Sequence, residues 1–270
     1  MAPEIPGTVL EPPEKHMIDL HTHLLPDWDD GAKDWEETAS MARIAREDGI
    51  TKVGLTPHVD RLTKHGDSLE LLEQRFDELR RRAIRFPVVF FRGAEVYVTD
   101  RVVENIKRDN LTVNNSCYVF LEFPADSVIP GVRDLFYQIM LQGHVPIISH
   151  PERNVAFARQ PGLLYDLVNM GAFAQVTAKS ILGEFGREAR EAAKVYLKHN
   201  LVHIIASDAH NARDRPPLLR RAVEKAAKIV GREKALAMVT EIPQAILDNE
   251  AIPKCGEPVD PEKGRKWGFA

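Results

Sequence analysis

A chain of 270 residues, 44% of them hydrophobic, can bury a full core, and one large α/β domain is expected rather than two small ones. Its formal net charge of −4 argues against non-specific nucleic-acid or membrane-surface binding, which needs a concentrated basic footprint. The two cysteines, Cys117 and Cys255, lie far apart in unrelated contexts, so neither a disulfide framework nor a Cys-rich zinc module is supported and a reducing, cytoplasmic compartment is expected.

Residues 1–16 hold four prolines and no apolar periodicity, and they read as a flexible or surface-hugging leader without the basic start and apolar core of an export signal. The main domain is expected over residues 17–252, and the tail at 253–270 reads like the leader. Within the domain, seven short apolar runs predict strands: Met17–Leu20, Lys52–Leu55, Val88–Phe91, Tyr118–Leu121, Val145–Ile148, Ala172–Val176 and Val202–Ala206. They alternate with stretches whose apolar residues recur at three and four, at Trp35–Asp48, Ser68–Phe86, Val132–Leu141, Leu163–Met170 and Arg187–His199, followed by Pro217–Val230 and Pro243–Asp248. Strands alternating with amphipathic helices predict β/α units around a parallel sheet. No apolar run approaches the length of a membrane span.

Chemistry gathers where the apolar runs end. Residues two apart on a strand point the same way, so His-Thr-His at the end of the first run aims His21 and His23 at one point. Enzymes built on β/α barrels place their active groups at the C-terminal ends of the strands. Here the second run leads to His58, the third to Glu95, the fourth to Glu122, the fifth to His150 and the last to Asp208 and His210. Asp30 follows the first run in a DDG turn, with Asp29 a rival for the same role. Donors recurring at the same position in unit after unit are poorly explained as solvated loops. His16, His65, His144, His199 and His203 lack this placement and read as ordinary surface or core histidines.

Five imidazoles and four carboxylates exceed the needs of one or two ions, and three divalent cations would turn four clustered negative charges into a site of about +2, suited to a phosphate dianion. Mixed nitrogen and oxygen donors without thiolate favour Mn²⁺, Fe²⁺ or Zn²⁺ over Mg²⁺ or Ca²⁺. Arg153, three residues after His150, and Arg215, five after His210, could clamp phosphoryl oxygens bidentately; each could instead be a structural ion pair, and Arg213 competes with Arg215. Thiol phosphatases need an Arg six positions after the nucleophilic Cys, where this chain has Phe123 and Pro261. The reaction expected is in-line attack on phosphorus by a metal-bridging hydroxide, with no covalent intermediate.

These segments together resemble the polymerase-and-histidinol-phosphatase (PHP) superfamily and, within it, the bacterial tyrosine-protein phosphatases of capsule and exopolysaccharide loci. The resemblance rests on DLHTHLLPDWDDG at Asp19–Gly31, TPH at Thr56–His58, GAEV at Gly93–Val96, LEF at Leu121–Phe123, PIISHPER at Pro146–Arg153, QVTAKSILGEFG at Gln175–Gly186 and IASDAHNARDRPP at Ile205–Pro217. It implies a distorted seven-stranded TIM-like β/α barrel and manganese as a common activator. One ion would sit on His21, His23, Glu95 and Asp208, a second on Glu95, Glu122 and His150, and a third on Asp30, His58 and His210, with Arg153 and Arg215 binding phosphate. The implied partner is a tyrosine-phosphorylated protein, a bacterial tyrosine autokinase. The chain departs from the pattern at VTAKS (Val176–Ser180) and at Val59, both on the expected substrate-facing wall. Rival readings are a small-molecule phosphatase of the same superfamily, such as one acting on histidinol phosphate, and a catalytically silent metal-binding regulator.

Overall fold

The computed structural model describes residues 16–60, 63, 64, 68–109, 111–253 and 255–263. The expected leader, His16 apart, lies outside the described residues, as do His65 and the end of the tail. Nine strands are present among the described residues: β1 (Met17–Thr22), β2 (Ile50–Leu55), β3 (His58–Val59), β4 (Val89–Arg92), β5 (Glu95–Tyr97), β6 (Tyr118–Glu122), β7 (Val145–Ile148), β8 (Phe173–Thr177) and β9 (Ile204–Ala206). They pair in parallel throughout, in one sheet ordered β1-β2-β4 and another ordered β3-β5-β6-β7-β8-β9. The result is an α/β fold whose parallel strands curve as a half-barrel of TIM-like form.

The strands exceed the seven expected because two of the seven runs are each followed by a further short strand, β3 after β2 and β5 after β4. Pro57 lacks the N–H that would continue a ladder from β2. Its carbonyl accepts from Glu95 N at 3.0 Å, so the chain changes neighbours between β2 and β3. Beyond Arg92, residues 93 and 94 likewise separate β4 from β5. In both cases the piece beyond the break carries a candidate donor, His58 or Glu95. At the last residue of β1 and past the end of β9 the two sheets meet, among the described residues, at a single bridge, Thr22 with Ala209, flanked by Asp208 N donating to His21 O at 2.9 Å and His23 N to Ala209 O at 2.8 Å.

Helices at Trp35–Asp48 and Val132–Leu141 have the expected bounds. The first starts where Asp34 accepts from Glu37 N at 2.8 Å, the usual service of an N-cap carboxylate. The stretch expected at Ser68–Phe86 is a helix at Leu69–Arg82, capped by Ser68, with a 3₁₀ turn at Ala83–Arg85. The remaining expected helices are found at Pro161–Asn169, Arg187–Lys198, Arg220–Val230 and Glu241–Leu247. Helices at Val102–Asp109, Val155–Arg159, Ala178–Leu182 and Arg232–Ala237 are not anticipated.

The core lies between strands and helices, with Leu20, Val53, Val96, Phe120, Ile147, Val176 and Ile205 fully enclosed. Part of the tail is held against the surface, where Val259 N donates to His199 O at 2.8 Å and Asn200 Nδ2 to Glu257 O at 2.8 Å. No helix among the described residues is long and apolar enough to cross a membrane.

Candidate metal centre

All nine donor side chains converge on one end of the half-barrel, the end where β1, β6, β7 and β9 finish. His21 belongs to β1 and His23 follows it. Glu122 ends β6, His150 lies two residues past β7, and Asp208 and His210 lie two and four past β9. His58 and Glu95 open β3 and β5, directly opposite one another in register. Every one is buried except Asp30.

Glu95 is the hub. Its Oε2 lies 3.3 Å from His21 Nε2, 3.5 Å from His23 Nε2 and 3.2 Å from His58 Nδ1, while Oε1 lies 3.0 Å from His150 Nε2. Asp208 Oδ1 faces the same two histidines, 3.7 Å from His21 Nε2 and 3.4 Å from His23 Nε2. Asp30 Oδ1 is 3.5 Å from His58 Nε2 and 3.3 Å from His210 Nε2. Four groups emerge whose ligating atoms lie within 4.8 Å of one another: His23–Asp30–His58–His210, His21–His23–Asp208, His21–Glu95–His150 and His58–Glu95–Glu122. This is a different partition from the one the resemblance implies, since Glu122 groups with His58 and His150 with His21. Glu95 belongs to two groups in both. Of His16, His144, His199 and His203, none joins such a group among the described residues.

The hydrogen bonds behind the imidazoles reveal which nitrogen faces inward. Gln175 Oε1 accepts from the backbone N–H of His150 at 3.2 Å, so that end of the amide is the oxygen. His21 Nδ1, 3.0 Å from the same atom, must therefore donate, which in the neutral ring leaves the lone pair on Nε2. His23 Nδ1 donates to Asp29 Oδ2 at 2.7 Å, and His210 Nδ1 donates to Asp208 O at 3.0 Å, with the same consequence. Three imidazole lone pairs thus face carboxylate oxygens across less than 4 Å, which is repulsive unless positive charge lies between them. Such backing of Nδ1 by an acceptor is the usual support of a metal-ligating histidine. Buried Nε2 atoms of His21 and His23 and both carboxylate oxygens of Glu95 make no hydrogen bond among the described residues. The donor set fits divalent cations.

Electrostatics agree. Burial alone would lower the affinity of His23 for a proton, yet Asp29, Asp208 and Glu95 outweigh it and hold its pKa well above the usual imidazole value. Burial likewise opposes charge on Asp208, but Arg153, His23 and Arg215 keep its pKa well below the ordinary carboxylate range. Burial and the neighbouring His23 push His58 down to about 4. Cations gathered at Glu95 and Asp208 would take the place of the second proton on the inward-facing histidines.

The rivalry between Asp29 and Asp30 has a geometric answer. Asp29 is enclosed and committed, accepting from His23 Nδ1, from His58 N at 2.9 Å and from Gly31 N at 2.9 Å. Asp30, with its side chain 50% exposed, turns towards His58 and His210. The turn between them needs glycine, because a Cβ at Gly31 would stand 2.1 Å from His23 O. Arg215 also separates from Arg213: its Nη2 donates to Asp208 Oδ2 at 2.6 Å and to Asp208 O at 3.0 Å, whereas Arg213 is exposed. Arg153 Nη1 bonds the same Asp208 Oδ2. Both arginines are thus ion-paired to a member of the cluster, at its half-open rim. Gln175 is the residue that sequence reasoning missed. Its signal is a polar side chain two before Thr177 in β8, on the strand face that is otherwise enclosed.

A parallel α/β half-barrel carrying imidazoles and carboxylates at its strand ends, with two arginines on the rim, defines a class of proteins equipped for metal-assisted chemistry on an anion. The chain belongs to the capsular polysaccharide synthesis CpsB/CapC family, whose model matches residues 17–248. It is 36% identical over 257 residues to tyrosine-protein phosphatase YwqE of Bacillus subtilis, covering 94% of this chain and 100% of that protein. With CapC of Staphylococcus aureus it shares 33% identity over 254 residues, 93% of this chain and 98% of that one. Among solved structures it superposes on one from a study of YwqE of Bacillus subtilis and CpsB of Streptococcus pneumoniae, described as metal-dependent tyrosine phosphatases. The TM-score is 0.84 at 34% identity, over 90% of this chain and 99% of the other.

Proposed function

We propose that this protein is a metal-dependent protein-tyrosine phosphatase that acts in the cytoplasm on a phosphorylated protein of the exopolysaccharide machinery, a tyrosine autokinase being the expected partner. The observation that carries the reading is the inward-facing Nε2 atoms of His21, His23 and His210 opposite the carboxylates of Glu95, Asp208 and Asp30, ringed by Arg153 and Arg215. Relatives over nearly the whole chain that are named tyrosine phosphatases support it. On this reading the strands form the distorted PHP-type barrel, with β2–β3 and β4–β5 each a single interrupted stave.

His21, His23, Asp30, His58, Glu95, Glu122, His150, Asp208 and His210 would hold three divalent ions, Mn²⁺ before Fe²⁺ or Zn²⁺, with Glu95 shared. When bound, such ions lower the pKa of coordinated water towards neutrality and neutralise phosphoryl oxygens. The protein's own part is orientation. Gln175 and Asp29 fix the rings of His21 and His23, and the backbone carbonyl of Asp208 fixes His210. Arg153 and Arg215, held against Asp208 by one side of each guanidinium, use their remaining N–H groups to receive the phosphate dianion and to stabilise charge that builds in the transition state.

The test is a side-by-side assay of a phosphotyrosine peptide, a phosphoserine peptide and histidinol phosphate with Mn²⁺. Preferential turnover of phosphotyrosine is expected. Preference for histidinol phosphate would shift the reading to a small-molecule phosphatase, and no turnover by metal-loaded protein would leave a metal-binding regulator.

A further inference from the structure

The segment between β8 and the helix at Arg187–Lys198 contains an aromatic residue set apart from the core. Phe185 is half-buried, and its ring does not join the hydrophobic core. Its company is cationic instead. Arg153 Cζ lies 4.9 Å from the ring centroid, Arg215 Cζ 5.7 Å and Lys179 Nζ 5.8 Å.

The turn that presents the ring is firmly built. Gly183, at φ 91°, donates to Lys179 O and Ser180 O at 3.0 Å each, closing the helix at Ala178–Leu182. Glu184 N returns to Lys179 O at 2.9 Å, and its carboxylate pairs with Lys179 Nζ at 3.1 Å. Lys179 Nζ also reaches Asp214 O at 2.5 Å, tying this turn to the loop that carries Arg215. A half-buried ring outside the hydrophobic core, set beside both rim arginines, is placed to meet a ligand.

We propose that Phe185 is the specificity-determining residue for the aryl group of the substrate. This rests on the phosphatase reading above. A phosphoryl group received by Arg153 and Arg215 puts the first carbon of its ester one oxygen away from phosphorus. An aromatic ring attached there lies beside Phe185 and packs on it, with the cations turned towards the same π system. The single methylene of a phosphoserine offers little surface for that contact. The ring also shields the guanidinium faces from water while leaving their N–H edges to the phosphate.

Two non-hydrolysable dianions separate aryl recognition from phosphate recognition. Phenylphosphonate and methylphosphonate are titrated by calorimetry into the full-length, Mn²⁺-loaded protein. The wild type should prefer phenylphosphonate by roughly 2–10-fold, the range of one aromatic pair. In Phe185→Ala the ratio of the two affinities should fall towards one, and in Phe185→Trp it should be kept or rise. Should the alanine variant fail to fold, Phe185→Leu carries the same expectation of a reduced ratio. A ratio unchanged in a folded Ala or Leu variant overturns the proposal, as does equal weakening of both ligands, which would make Phe185 a prop for the arginines only. Wild-type turnover of a phosphotyrosine peptide is followed in parallel. Its absence refutes the phosphatase reading independently of the affinity ratio.

Discussion

Buried histidines at opposite ends of the half-barrel, His21, His23 and His210 at one and His203 at the other, carry the ring proton on opposite nitrogens. At the end where the strands finish, His21, His23 and His210 each donate from Nδ1 to a fixed acceptor, so Nε2 presents a lone pair to the cluster. At the end where β9 begins, His203 Nδ1 lies 3.2 Å from the backbone N–H of Ala174, which can only donate. His203 therefore accepts with Nδ1 and carries its proton on Nε2. It packs edge-on to Phe173 with centroids 4.8 Å apart, and burial together with nearby Lys234 pushes its pKa down to about 3. It also lines a cavity of about 1070 Å³. A roomy cavity and a buried histidine do not make a metal centre. What sets the other end apart is an acceptor behind each of His21, His23 and His210 and a carboxylate in front of it.

The largest expected effect breaks the centre at its hub. Glu95→Gln removes the charge that faces four imidazoles, and metal content by elemental analysis should fall below three ions per chain, with activity down by roughly 10³ or more. Three ions retained in a folded Glu95→Gln protein would refute a shared ligand. Chelation should abolish turnover of p-nitrophenyl phosphate and Mn²⁺ should restore it, while Ser at both Cys117 and Cys255 leaves kcat within a few fold.

The rim comes next. Arg153→Ala or Arg215→Ala should retain metal yet lower kcat/KM by roughly 10²–10³, about 2.7–4 kcal/mol. Lysine should rescue poorly because a point charge does not reproduce a planar fork. Arg213→Ala should behave like the wild type. Removing either rim arginine also frees Asp208 of one partner, so metal affinity must be measured in each variant before the rate is read as phosphate binding.

A smaller effect tests the backing acceptors directly. Gln175→Leu and Asp29→Ala leave every donor in place but release the ring of His21 or His23, and the expected loss is about 10–100-fold in metal affinity. Unchanged affinity in both would mean that packing alone holds the rings. The smallest effect on activity belongs to the other end of the barrel. His203→Ala orphans the Ala174 N–H and should cost about 1–3 kcal/mol of stability in a denaturation experiment, with metal content and kcat unaltered.

The positions of the donors were legible in the linear sequence because strand geometry is local. A side-chain period of two and a parallel sheet together require that whatever follows each apolar run meets at one end, and His21, His58, Glu95, Glu122, His150 and Asp208 each follow such a run. The interruption at Pro57 was readable in principle from its missing N–H; where the strand would re-form was not. Which candidate donors lie within reach of one another, whether Asp29 or Asp30 turns inward, and the pairing of Arg153 and Arg215 with Asp208 were decided only by tertiary structure. So was the orientation of His21, whose backing acceptor Gln175 lies 154 positions along the chain. The reason is physical: a residue's placement on a strand follows from its neighbours in sequence, whereas the proton on an imidazole and the partner of a guanidinium are set by atoms that only folding brings within 3 Å.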